Sequence, residues 1–194
     1  MDRTTVTRVF STLREMMEDR RLEPDNNALA TMSTEDAVDL VLGEDGGTYP
    51  TIEVNPKLDI VFCPSGENTK VAQLVQHIND RDKDSAIIVT KDKLNTNFVK
   101  NMYKAVQNRV QVYHMRELLF NPYRHRLVPE HVVLDSREAG ELVKQLGLKT
   151  NLELPIILRD DAIAKHLDIR AGSIVKVVRN SPTAGQHNVY RVCV

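Results

Sequence analysis

The chain holds no tryptophan and only two cysteines in 194 residues. Cys63 and Cys193 lie far apart, with no Cys or His at ligand spacing, so neither a disulfide framework nor a zinc knuckle is expected. They read as buried, reduced thiols of a cytosolic or nuclear protein. No apolar run approaches the roughly 18 residues of a membrane span. Met1-Asp2-Arg3-Thr4 leads into an amphipathic pattern, not the apolar core of a secretory leader. A net charge of −1 sets up no global field for nucleic acid or an anionic membrane. Gly43, Gly46 and Gly47 lack the Lys-Ser/Thr that completes a phosphate loop. The histidines at 77, 114, 125, 131, 166 and 187 are scattered, and no Ser or Cys sits in a nucleophile elbow. The expectation is therefore no catalytic residue, no metal, no cofactor, no small-molecule substrate and no membrane contact. What is present, 41% hydrophobic and 27% charged residues, suits a globular chain with real cores.

Charge is uneven along the chain. Residues 1–120 carry 15 Lys/Arg against 19 Asp/Glu, whereas residues 121–194 carry 11 against 8. The sign changes at Asn121-Pro122-Tyr123-Arg124, where an Asn-Pro pair also interrupts a helical pattern. The expectation is an α+β protein of two domains, 1–120 and 121–194.

In the first half, Val6, Phe10, Leu13 and Met17 share a helical stripe, predicting a helix over 4–21 stopped by Pro24. Ser33 with Asp36 resembles a capping box for a short helix through Val38 and Leu42. Gly46-Gly47 makes a turn. Strands are expected at Thr51–Val54, Leu58–Cys63 and Val110–Tyr113, and a buried central strand at Ala86–Val89. Helices are expected at Glu67–Asn79 and Leu94–Gln107. This order indicates an α/β layered domain.

In the second half, Val132–Leu134 reads as a strand. Asp135 and Glu138 form a capping box for a helix with Ala139, Leu142, Val143 and Leu146 inward and Gly147 past its end. Leu154–Leu158 is extended. Asp160-Asp161 open a short helix with Ile163 and Leu167 inward. Ser173–Arg179 and His187–Val194 are strands joined by a turn at Ser181–Gly185. Such a small mixed α+β unit has a core worth only a few kcal/mol, which favours a docked role.

Arg126-Leu127-Val128-Pro129-Glu130-His131-Val132-Val133 resembles the Leu-Val-Pro-Glu-His-Val motif of the fifth subunit shared by eukaryotic RNA polymerases I, II and III. Archaeal polymerases carry the same domain as a small subunit of their own. Leu154-Pro155, Asp161–Ile169, Gly172–Arg179, Ser181–Gly185 and Tyr190-Arg191 continue the likeness in order. Ile156, Ala162, Asp168, Asn180 and Pro182 depart from it, standing where the family has Arg, Pro, Gly, Pro and Glu. The first half resembles the family's N-terminal jaw only through its order of elements and Ala86–Val89 before Lys91–Phe98. Its presence points to the eukaryotic type, and the divergence to a protist or large-DNA-virus version.

The resemblance implies a non-catalytic polymerase subunit in the nucleus, or in a virion or viral factory for a viral source. Its jaw would have restriction-endonuclease-like layering and lie beside downstream duplex DNA. Its C-terminal assembly domain would dock on the largest subunit, among the other subunits. Pro129, Glu130, His131, Arg179, Ser181, Thr183, Ala184, Gly185, Tyr190 and Arg191 are the interface candidates. Each also has a plainer reading: Val128-Pro129 as a strand entry, His131 as a hydrogen-bonded imidazole, the arginines as partners of local carboxylates, the Thr-Ala-Gly turn as turn chemistry.

For DNA, Leu94, Phe98, Met102 and Ala105 share one helical face. Lys93, Asn97, Lys100 and Lys104 take the other, with Lys91 at its entry. Such a face meets phosphates weakly and without reading bases, or is simply solvated. Two rival functions remain. A metal nuclease would use Asp59 and a Glu-x-Lys on the next strand, but that strand ends in Thr90-Lys91 without the Glu. A free-standing adaptor would use the C-terminal module for another partner.

Overall fold

The computed structural model describes residues 2–194 apart from 23–27, 44–48, 64–70, 82, 92–93, 107–108 and 182–184. At 71, 96, 98 and 181 only the backbone is described. The chain divides into two compact units, Met1–Phe120 and Asn121–Val194.

In the first unit, α1 (Arg3–Asp19) starts where the Asp2 carboxylate accepts from Thr4 and Thr5 backbone N–H groups. It buries Val6, Val9, Phe10, Leu13, Met16 and Met17. Its end differs from expectation. The N–H of Leu22 reaches the carbonyl of Met17 and that of Arg21 the carbonyl of Glu18, with Arg21 at φ 58°. This is a Schellman stop with Arg in the place glycine usually takes. It ends the helix ahead of Pro24, which lies outside the described residues. A short α2 (Ala28–Thr31) follows, held by Arg14, whose guanidinium donates to the carbonyls of Leu29 and Met32 while lying over the Phe10 ring. Ser33 caps α3 (Thr34–Leu42) by accepting from Asp36 N–H at 3.0 Å.

Four strands form one sheet in the order β1 (Thr51–Asn55), β2 (Leu58–Cys63), β3 (Ser85–Thr90), β4 (Arg109–His114). β1 pairs antiparallel with β2; β2, β3 and β4 run parallel. Parallel strands need crossovers. These contain α4 (Val71–Asn79) and α5 (Thr96–Ala105). Alternation along the strands separates two cores. Ile60, Phe62, Ile87 and Val89 pack with α1 and α3, whereas Val61, Ala86 and Ile88 pack with Leu74, Ile78, Met102 and Val106. Helices therefore cover both faces, and all of β2 is buried. A 3-10 turn, Met115–Leu118, closes the unit.

Several expectations need correction or fall outside the described residues. α5 is shorter than Leu94–Gln107, and Gln107 lies outside the described residues. Ala105 is exposed, and Val106 takes the inward position. The expected start of α4 at Glu67 and the Gly46-Gly47 turn also lie outside the described residues.

In the second unit, β5 (Glu130–Val133), β7 (Ile174–Ser181), β8 (Gly185–Cys193) and β6 (Ile156–Ile157) lie in that order. β7 and β8 form a long antiparallel hairpin, paired from Ile174↔Val192 to Ser181↔Gly185. β5 starts earlier than the expected Val132, because Glu130 already pairs with Val178. The expected extended stretch Leu154–Leu158 shrinks to two strand residues, preceded by a 3-10 turn at Asn151–Glu153.

On one face, α6 (Ser136–Gln145) buries Leu142 against Leu154, Ile174 and Val192. Its capping box is complete: Asp135 accepts from Glu138 N–H at 2.7 Å, and Glu138 accepts from Asp135 N–H at 3.1 Å. Gly147, at φ 66°, carries its Schellman end. Leu146, expected inward, is exposed at the C-cap, where the chain leaves the helix through Gly147 and Leu148 packs on this cluster instead. On the other face, α7 (Ala162–His166) packs Ala164 on Val175, Val177, Ile157, Ile169 and Cys193. Leu167 is half-buried at its C-cap.

Candidate functional site

The α7 face of the second unit gathers most of the interface candidates. Asn121 opens the unit with a turn, accepting from Tyr123 N–H at 2.9 Å. That turn sets Tyr123 to stack on buried His166, with ring centroids 5.8 Å apart, and to donate its hydroxyl to the His131 carbonyl at 3.4 Å. Val128-Pro129 then enters β5. The His131 ring nitrogen Nδ1 lies 2.7 Å from the Pro129 carbonyl. A carbonyl only accepts, so Nδ1 carries the proton. Burial pushes the His131 imidazole below its ordinary pKa; its bond to Pro129 and the Asp161 carboxylate push back, and Arg179 and Arg191 add to the lowering.

In the strand register, His131 lies opposite Val177, Arg191 opposite Val175 and Arg179 opposite His187. With a period of two, His131, Val177, Arg179 and Arg191 share one sheet face. They open into a cleft of about 600 Å³ walled also by Val128, Pro129, Ile156, Leu158, Asp160 and Asp161. A second groove, about 540 Å³, continues past Pro129 and Arg179 to Arg126, Glu130, Asn180 and Gln186. Arg191 donates to the Ile156 carbonyl at 2.8 Å. Among the described residues no carboxylate lies in ion-pair distance of Arg179 or Arg191, so the plainer reading of a local carboxylate partner does not apply there. Asp161 does cap α7, accepting from Ile163 and Ala164 N–H groups at 2.9 and 3.3 Å. The rim is apolar and open: Ile156 is 53% exposed, Leu158 60% and Leu127 77%.

Not every candidate joins this cleft. Tyr190 packs on the opposite face, against the Leu142 cluster. Gly185, exposed and at φ 67°, closes the hairpin. Thr183 and Ala184, like Pro182, lie outside the described residues, as does the Ser181 side chain. Sequence reading did not place Tyr123, His166, Ile156, Leu158 or Asp160 here. Asp168, standing where the resembled family has glycine, sits at φ 55°. A short polar side chain tolerates that left-handed backbone better than most, which accounts for the exchange.

In the first unit, Lys91, Lys100 and Lys104 are exposed, as is Asn97; Lys93 lies outside the described residues. Asp59 is buried and its Oδ2 is held by Arg81, so it does not face an open site. Among the described residues, its Oδ1 and the Asn79 Oδ1 are buried and meet no hydrogen-bond partner. Tyr49 and Thr51 touch the neighbouring His77. Among the described residues, no three His, Cys, Asp or Glu side chains converge on a metal position, and no helix is long and apolar enough to cross a membrane.

The family model "RNA polymerase Rpb5, C-terminal domain" matches residues 120–193. A Dictyostelium discoideum relative, "DNA-directed RNA polymerases I, II, and III subunit rpabc1", is 33% identical over 141 residues, 69% of this chain and 71% of the relative. A Caenorhabditis briggsae relative, "DNA-directed RNA polymerases I, II, and III subunit RPABC1", is 33% identical over 69% of this chain and 65% of its own length. An archaeal relative, "DNA-directed RNA polymerase subunit Rpo5" of Thermofilum pendens, is 41% identical over 73 residues, 38% of this chain and 90% of its own. With a family model on the cleft-bearing unit and a relative aligned over most of both chains, this chain belongs to the Rpb5 family of DNA-directed RNA polymerase subunits.

Proposed function

We propose that the chain is a non-catalytic structural subunit of nuclear DNA-dependent RNA polymerase. Residues 121–194 form an assembly domain that docks on the largest subunit. Residues 1–120 form a jaw lying near downstream duplex DNA. The observation that carries this reading is the convergence of Pro129, His131, Arg179 and Arg191 on one open cleft inside the segment that matches the family. A small unit that, among the described residues, leaves two guanidiniums without carboxylate partners and several aliphatic side chains exposed offers a surface suited to being covered.

The jaw's part is electrostatic. Exposed Lys91, Lys100 and Lys104 face solvent, and each phosphate contact adds about 0.9 to the salt slope. A few such contacts give weak, sequence-blind attraction that guides duplex without reading it. Asp59, the first carboxylate a metal nuclease would recruit, is paired with Arg81.

Tagged chain expressed in its source cells and purified natively tests the reading. The two large polymerase subunits co-purify, and Arg179→Glu lowers their recovery more than Lys100→Glu does. A clean preparation without the large subunits, or equal recovery by both variants, counts against it.

A further inference from the structure

The α7-face cleft has a definite electrical layout. Arg179 and Arg191 stand on β7 and β8, four residues apart along the sheet by the register Val175↔Arg191. That is roughly 13 Å of strand. His131, on β5 at the other side of β7, stands level with Val177, midway along that span. The floor is apolar, with Ile157, Ile163 and Val177 buried, and the rim carries exposed Ile156 and Leu158. The remaining wall is acidic, Asp160 and Asp161. Arg179 has no ion-pair partner among the described residues, and Arg191 has bonded only one carbonyl, leaving further N–H groups of its fork to be met.

We propose that this cleft receives an acidic protein segment of the docking partner, with carboxylates meeting Arg179 and Arg191 and aliphatic side chains seated over Val177, Ile157 and Ile163. The proposal rests on the docking reading and specifies the chemistry of what is docked. Three features select this occupant. The separation of the two arginines matches a segment and not one small anion. The apolar floor rewards aliphatic side chains, which a nucleic acid does not offer. The Asp160-Asp161 wall disfavours a continuous phosphate backbone, which is charged at every step, whereas a peptide can set its carboxylates on the arginine side and leave neutral or basic groups against the aspartates. Guanidinium–carboxylate pairs are directional and charge-assisted, so they fix register as well as strengthen contact.

The test uses the full chain. Synthetic peptides tiling the largest polymerase subunit of the same source are titrated against wild-type chain by fluorescence anisotropy. The bound peptides are expected to carry Asp or Glu beside Leu, Ile or Val. Converting those acids to amides, or Arg179→Gln in the chain, lowers affinity about tenfold or more, and the two changes together cost less than their sum in a double-mutant cycle. Arg191→Lys, which keeps the charge and the reach to Ile156 but loses the fork, also weakens binding. Thermal melts of both variants that match wild type keep folding out of the comparison. Bound peptides without acidic residues, no bound peptide at all, or variants that bind like wild type overturn the proposal; so does a DNA duplex that competes for the cleft. If intact largest subunit is captured equally by wild type and the Arg179→Gln/Arg191→Lys double variant, the cleft assignment fails and docking stands. If wild type captures none, both fail.

Discussion

Arg81 and Asp59 offer the sharpest test of how the first unit is held together. Asp59 sits on fully buried β2 with its side chain 2% exposed, while the Arg81 side chain is 32% exposed. One carboxylate oxygen is held by Arg81, and the other meets no hydrogen-bond donor among the described residues. Arg81→Ala therefore strands a buried carboxylate, a change that costs about 3–5 kcal/mol. Asp59→Asn removes the charge that needed compensation, and Arg81, already partly in water, resolvates its own. The expected cost is smaller, about 1–2 kcal/mol. The double variant Asp59→Asn/Arg81→Ala then loses less than Arg81→Ala alone, because no uncompensated charge remains. Hydrogen exchange read by mass spectrometry on peptides covering 58–63 and 71–80 reports this unit without mixing in the other. Equal losses for the two single variants, or a double variant as poor as their sum, would refute the reasoning.

Further predictions follow the same logic. Asp168→Val, placing a β-branched side chain at φ 55°, costs the second unit about 1–2 kcal/mol, read as a lower urea midpoint; unchanged stability contradicts the strain argument. Arg14→Met removes both donors that hold α2, costs about 1–3 kcal/mol and speeds exchange at Ala28–Thr31 more than elsewhere. His131 and His77 are both pushed below the ordinary imidazole pKa chiefly by burial. The unfolded chain then binds protons first as pH falls, so stability is full above about 6.5 and declines as pH drops below it. Thermal melts at pH 7.5 and 5.5 show the decline, His131→Asn flattens it, and a wild type more stable at the lower pH contradicts the sign.

The parts of the fold that were legible in the sequence are those where a local signal and burial agree. Ala86–Val89 is a continuous apolar run bounded by charge, and it is an interior strand of its sheet. Asp135 and Glu138 sit three apart ahead of an apolar stripe, and they form the box. Helix ends were less legible. Arg21 stops α1 in a conformation that its residue type gives no hint of. α2 spans four residues, too few for periodicity to register. Ala105 and Val106 exchange roles because the helix ends between them.

At the site, Arg179 and Arg191 were reached through resemblance, not through any local pattern. The cleft they share also needs Ile156, Leu158 and Asp160 from a separate segment, which only tertiary structure assembles. One separation was within reach of the sequence. Tyr190 and Arg191 are consecutive on a strand, so period-two alternation already sends them to opposite faces. The Tyr123–His166 stack joins residues far apart in sequence and leaves no trace in it.

Cross-linking mass spectrometry on polymerase purified through a tag on this chain tests the central claim most directly. Lys165, on α7, is expected to cross-link mainly to the largest subunit, and more strongly than Lys176, which the register puts with Tyr190 on the opposite face. Cross-links from these lysines that reach other chains and never the largest subunit would contradict the account.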